Sequence, residues 1–171
     1  MTPKAVSRTT KVITIAVAAT VGAIVACSND TAPTLAPRAH FTAVLSAANE
    51  RQANPVTSTA TGLATLTLRS NDSLDYIVNV SGLTGPATAS HIHAGAPAVS
   101  GPVVNGFAIN PGTATGTVAS GTIILSQLVA AAGQISGDSL RVLLNNGNGY
   151  VNVHTAQFGA GEIRGQITLQ P

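Results

Sequence analysis

The stretch TGLATLTLRSNDSLDYIVNV, residues 61–80, reads as two strands and a turn. From Thr61 to Arg69 apolar and polar residues alternate, with Ala64, Leu66 and Leu68 on one face and Thr65, Thr67 and Arg69 on the other. Ser70-Asn71-Asp72 is a polar turn. Beyond it Leu74, Tyr76, Val78 and Val80 face one way, and Asp75 and Asn79 the other. Successive side chains of a strand point to opposite faces, so a period of two sets one face against a core and leaves the other in water. Two such runs joined by a short polar turn make a β-hairpin.

Working outward, short runs of the same kind recur at Phe41–Ala47, Ala89–Ala94, Val103–Ile109, Gly116–Val118 with Gly121–Leu125, Tyr150–Thr155 and Glu162–Leu169. Two helices are expected between the late strands. Ser126 can cap residues 127–132, which Gly133 stops, and Asp138 can cap Ser139–Asn145, with Asn146-Gly147 as the stop. No repeat of fixed period is present. The expected fold is all-β: an antiparallel, Greek-key-like β-sandwich or barrel with one or two short helices. A composition with 17 Gly and only 8% charged residues suits strands and tight turns better than charge-laced surface helices.

The net charge of +2 is concentrated at the start of the chain, where Lys4, Arg8 and Lys11 stand without an acid. From Cys27 onward five arginines face six carboxylates, a net charge of −1 with no lysine. Such a domain neutralises few phosphates, so nucleic acid is excluded as a partner. One cysteine allows neither an internal disulfide nor a zinc-finger framework.

That cysteine has a use where it stands. After the basic segment, Val12–Val25 is apolar apart from Thr14, Thr20 and Gly22, and Ile24-Val25-Ala26-Cys27 closes the run. A basic start, an apolar stretch of about 7–15 residues and a small-residue cut site define a secretory signal, too short for a bilayer span. The ending resembles the lipobox of bacterial lipoproteins, with Ile24 where Leu is usual. The resemblance implies cleavage before Cys27 and acylation of its sulfur, hence a membrane partner through lipid and a place at the cell envelope. In a Gram-negative host, Ser28 after the cysteine points to the outer membrane or its periplasmic face. An ordinary signal peptide with an incidental cysteine is the plainer alternative. Residues 28–39, with two prolines and no apolar period, read as a tether, leaving residues 40–171 as the domain.

Chemistry-bearing side chains gather on three of the expected strands. His91 and His93 share a face, about 6.5–7 Å apart at Cα, so both imidazoles can reach one zinc or copper ion. On Tyr150–Thr155 the polar face carries Tyr150, Asn152 and His154, and on the last run it carries Glu162, Arg164 and Gln166. If these strands are neighbours, His91, His93, His154 and Glu162 can converge as ligands. The alternatives are solvated outer faces or a structural polar network of Tyr150, Asn152, Arg164 and Gln166, with Arg164 pairing Glu162 or backbone carbonyls. No G-x-S-x-G elbow or Ser-His-Asp arrangement is evident, and the Gly-x-Gly pieces read as turns.

Taken in order, several motifs resemble the CHRD (chordin) domain. They are Phe41-Thr42-Ala43-Val44-Leu45-Ser46 with Glu50 and Pro55-Val56, Thr61-Gly62, His91-Ile92-His93-Ala94-Gly95, Gly101-Pro102-Val103-Val104, Tyr150-Val151-Asn152-Val153-His154-Thr155 and Gly161-Glu162-Ile163-Arg164-Gly165-Gln166. The resemblance covers about residues 40–169. It implies an all-β extracellular module and no general enzymatic activity; the growth-factor role of chordin is not carried over. The His-x-His strand also resembles that of Cu/Zn superoxide dismutase, which needs more histidines than the three found beyond His40. Two functions follow as expectations. The preferred one is a lipid-anchored, non-enzymatic module that binds an unknown protein or ligand or serves structurally. The other is a copper- or zinc-binding or metalloredox domain.

Overall fold

The computed structural model describes residues 37–131 and 133–171. The proposed signal, Cys27 and tether residues 28–36 lie outside the described residues. The strands are β1 (Pro37–Ser46), β2 (Thr61–Arg69), β3 (Ser73–Ser81), β4 (Ala87–Ala94), β5 (Val103–Gly106), β6 (Gly116–Ile124), β7 (Gly149–Thr155), β8 (Ile163–Gln166) and β9 (Thr168–Gln170), with one helix, α1 (Gly137–Asn145).

All pairings are antiparallel and belong to one sheet of order β5-β4-β7-β8-β1-β2-β3-β6, with β9 alongside β1. β3 meets β6, and β4 meets β7, across long connections. The sheet curls into a half-barrel, and the segment that follows β5 reaches β6 through an isolated bridge, Ile109 to Ala119. Of the expected sandwich or barrel, the chain adopts the second in partly open form.

The hairpin forms in the register its alternation demands, with Leu66 opposite Tyr76 and Leu68 opposite Leu74. Its turn places Asp72 at φ 61°, and the Asp72 carbonyl accepts from the Leu125 amide at 3.1 Å. Ala64, Leu66, Leu68, Leu74, Tyr76, Val78 and Val80 are all buried. They meet Phe41 and Leu45 from β1, Ile92 from β4, Val151 and Val153 from β7, and Ile163 from β8. Leu140 and Leu144 of α1 close one end. Burying one such side chain contributes about 1.5–3 kcal/mol, the main resource of a domain without disulfides.

Five expectations need correction. β1 begins at Pro37, so the last three tether residues are strand, paired with β2 near Arg69. No α-helix forms over 127–131. A single 3₁₀ turn at Leu125–Gln127 stands there, because Leu125 is buried and Leu128 packs only partly against the core, while Val129 stays 66% exposed. A helix that short needs a buried apolar face to offset its nucleation cost. The expected 139–145 helix is present, but its cap is Ser136, whose Oγ accepts from the Ser139 amide at 3.2 Å, and Asp138 lies in the first turn. Gly147, at φ 66°, ends it in the left-handed region that glycine tolerates. The last expected run is interrupted as two strands, and the Val103–Ile109 run is ladder only to Gly106. Among the described residues no helix is long and apolar enough to cross a membrane.

Candidate metal centre

β4 and β7 are neighbours, in a register that sets Ala89 opposite His154, His91 opposite Asn152 and His93 opposite Tyr150. His154 is therefore diagonal to His91 on the same face, within reach of a long side chain. One ring nitrogen from each of His91, His93 and His154 lies within 4.8 Å of the others. All three rings are partly buried.

Two of the rings have their protons placed by the backbone. His93 Nδ1 is 2.9 Å from the Gly101 carbonyl, and His154 Nδ1 is 3.0 Å from the Gly159 carbonyl. A carbonyl oxygen only accepts, so each Nδ1 carries hydrogen and each Nε2 presents a lone pair. This is how metal-ligating histidines are commonly held, with the second nitrogen tied to a fixed acceptor. His93 Nε2 is buried and has no hydrogen-bond partner. His154 Nε2 faces His91 Nδ1 at 3.1 Å. That contact is an N–H···N bond in the metal-free protein. Its length is close to the ~3.3 Å between two nitrogens bound tetrahedrally to zinc at about 2.0–2.1 Å.

The rings are poor bases here. Burial pushes His91 down to about 4, and the neighbouring His154 and His93 add to the shift. Burial also lowers His93 and His154, against the opposing pull of the Gly101 and Gly159 carbonyls. Neutral imidazole is the form that binds a metal.

The ring of Tyr150 supports His93, stacked on it at 4.7 Å between centroids and 12° between planes. Its hydroxyl lies 3.1 Å from the Gly101 amide and 3.2 Å from the Gly101 carbonyl, fixing the acceptor that orients His93. A Cβ at Gly101 would collide with the Ala94 carbonyl, so only glycine lets this carbonyl reach the imidazole. The other face of Tyr150 is covered by the Arg164 guanidinium, 3.4 Å from the ring centroid.

Glu162 does not join the histidines, and it does not pair with Arg164. Regular pairing of β8 starts at Ile163, opposite Val153. Glu162 precedes it, after Gly161 at φ 128°, and its side chain turns instead toward Thr155. Fully buried, its carboxylate accepts from Thr155 Oγ1 at 2.6 Å, Ser58 Oγ at 2.7 Å, and the Thr84 amide and Oγ1, both at 2.9 Å. Burial acts to raise its pKa, but these bonds outweigh it and hold the carboxyl below its usual range.

Tyr150, Asn152, Arg164 and Gln166 do share one face, with Tyr150 opposite Gln166 and Asn152 opposite Arg164. It is not a solvated face: Tyr150, Asn152 and Arg164 are buried. Three connecting segments cover it. Gln166 Nε2 donates to the Gly95 and Gly147 carbonyls at 2.9 and 2.7 Å, Arg164 Nη2 to the Ala96 carbonyl at 3.2 Å, and Asn152 Nδ2 to Glu50 at 2.5 Å. Glu50 and Gly95 carry the signals that pointed to this cover, each as part of a quoted motif. The Gly159 carbonyl carries none, because a backbone acceptor leaves no mark on residue type, whereas at Gly101 the mark is the glycine itself. His40, the remaining histidine, is exposed at the edge of β1, 3.2 Å from Thr67 Oγ1.

The family model of the CHRD domain matches residues 41–167. No curated protein matches the chain, and no solved structure does.

Proposed function

The chain belongs to the CHRD domain family, and from that premise we propose a non-enzymatic binding module of the cell envelope, lipid-anchored through Cys27, whose His91, His93 and His154 bind a copper or zinc ion. The observation that carries the metal reading is the fixed tautomer of His93 and His154, each giving its Nδ1–H to a backbone carbonyl and leaving Nε2 unprotonated. Imidazole suits both metals, and copper(II) binds such a site more tightly than zinc. Three protein ligands leave a coordination position open to water or to a group from another molecule. With no nucleophile arrangement beside it, binding rather than turnover is the reading favoured. Anchoring rests on the basic start, the apolar run and the Ile24-Val25-Ala26-Cys27 ending.

The test is metal content of the full-length chain, purified in detergent without chelator or affinity tag and beside His91→Ala/His93→Ala. About one copper or zinc per chain is expected, and none in the double variant. Absence of metal after incubation with excess of both would overturn the metal assignment. Labelled fatty acid should enter the chain in a lipoprotein-producing bacterium and not its Cys27→Ser form; equal labelling of the two would remove the anchor.

A further inference from the structure

We infer that the outer face of β7 and β8 carries a second binding site, bordering the histidine cluster at His93, for a small organic carboxylate that also offers a hydroxyl, a hydroxycarboxylate. A cavity of about 370 Å³ lies there, lined among others by Glu50, Arg51, His93, Tyr150, Asn152 and Arg164. That volume falls in the range of about 300–1,000 Å³ usual for small-molecule pockets.

The case begins with Arg164. It is 3% exposed, yet among the described residues no carboxylate lies within 4.0 Å of its guanidinium. Its partners are the Tyr150 ring and the Ala96 carbonyl. A guanidinium has five N–H donors in a planar fork, and a desolvated one without a counter-charge is costly. Glu50, the acid on this wall, attracts Arg164 only from beyond ion-pair distance and accepts from Asn152 Nδ2 at 2.5 Å; burial raises its pKa against the bonds of Gln52 and Asn152 and the charge of Arg164. Arg51 adds a second guanidinium to the cavity wall, anchored through Nη1 to the Ala48 and Glu50 carbonyls at 3.1 and 2.9 Å.

The opposite requirement sits on the floor. Asn152 is 2% exposed and its Oδ1 is buried without a partner, an acceptor that calls for a donor. Two cationic forks on one cavity, with the orphaned Asn152 Oδ1 and the unpartnered His93 Nε2 as acceptors, are the complement of a carboxylate with an attached hydroxyl. The planar fork favours carboxylate, which it meets with two parallel bonds. His93 borders both sites, but the carboxylate reading rests on Arg51, Arg164 and Asn152 Oδ1, none of which the metal reading uses.

Titration calorimetry on the full-length chain in detergent, stripped of metal and freed of chelator, tests this with lactate, malate, citrate and inorganic phosphate. At least one hydroxycarboxylate should bind saturably, one per chain. Arg51→Gln and Arg164→Lys should each weaken it at least tenfold, and His154→Ala should leave it within twofold. Arg51 is exposed, so its variant decides the matter if Arg164→Lys fails to fold. No saturable uptake of any hydroxycarboxylate by folded protein, or uptake that Arg51→Gln leaves unchanged, would overturn the site. Phosphate binding without hydroxycarboxylate binding would overturn the ligand class.

Discussion

Single side chains in this domain do work that their residue type only half announces. Glu162 resembled a ligand beside two histidine-bearing strands, and it is a buried clasp instead. Four hydrogen bonds draw the Ser58 and Thr84 segments onto Thr155 of β7. Glu162→Ala would strand those donors in the interior, at about 1–3 kcal/mol for each one left unsatisfied. A loss of at least about 3 kcal/mol in urea unfolding is therefore expected, with metal uptake per folded chain unchanged. Full stability in the variant would dismiss the clasp, and lost metal in folded protein would return Glu162 to the ligand set. The convergence of His91, His93 and His154 was legible because period-two alternation puts each on a known face. The departure of Glu162 was not legible, since alternation holds only inside the ladder and nothing in residue type marks Ile163 as its first rung.

At the scale of elements, alternation was the dependable signal wherever one face meets the core and the other meets water. β2 and β3 satisfy that condition and were read with their turn. β7 does not: Tyr150 to Val153 are buried on both faces, so its polar face was open to a solvated reading that the covering segments rule out. Helix signals were weaker because Ser126, Ser136 and Asp138 are all good capping types, and only the core under Leu140 and Leu144 selects among them. Ser136→Ala should cost about 1 kcal/mol by removing the acceptor for the Ser139 amide. Asp138→Ala, at an exposed first-turn position, should cost less. Denaturation midpoints of the two variants check the order, and the reverse order would reassign the cap to Asp138.

For the molecule as a whole, stability without disulfides leaves pH as an effective lever. His91, His93 and His154 resist protonation when folded, whereas in the unfolded chain they titrate near the ordinary 6.5. The unfolded state therefore binds more protons as pH falls below about 6.5, and stability rises with pH over that range. For His91 the window runs from about 6.5 down to about 4. Urea midpoints of metal-free protein should fall between pH 7.5 and pH 5, and the His91→Ala/His93→Ala variant should show a shallower fall. A level midpoint in the parent protein would contradict the shifts. The curl of the sheet was readable only in outline, because strand order depends on which edges meet across long connections, and no local pattern records that. One result of that order concerns mechanics. β1, where the described chain begins, lies flanked by β2 along its length and by β9 over His40–Thr42. Ladder hydrogen bonds run perpendicular to the strands, so a pull transmitted along β1 from Pro37 loads many rungs in shear at once instead of peeling them one after another. A domain held by that end would resist being dragged open by whatever it grips.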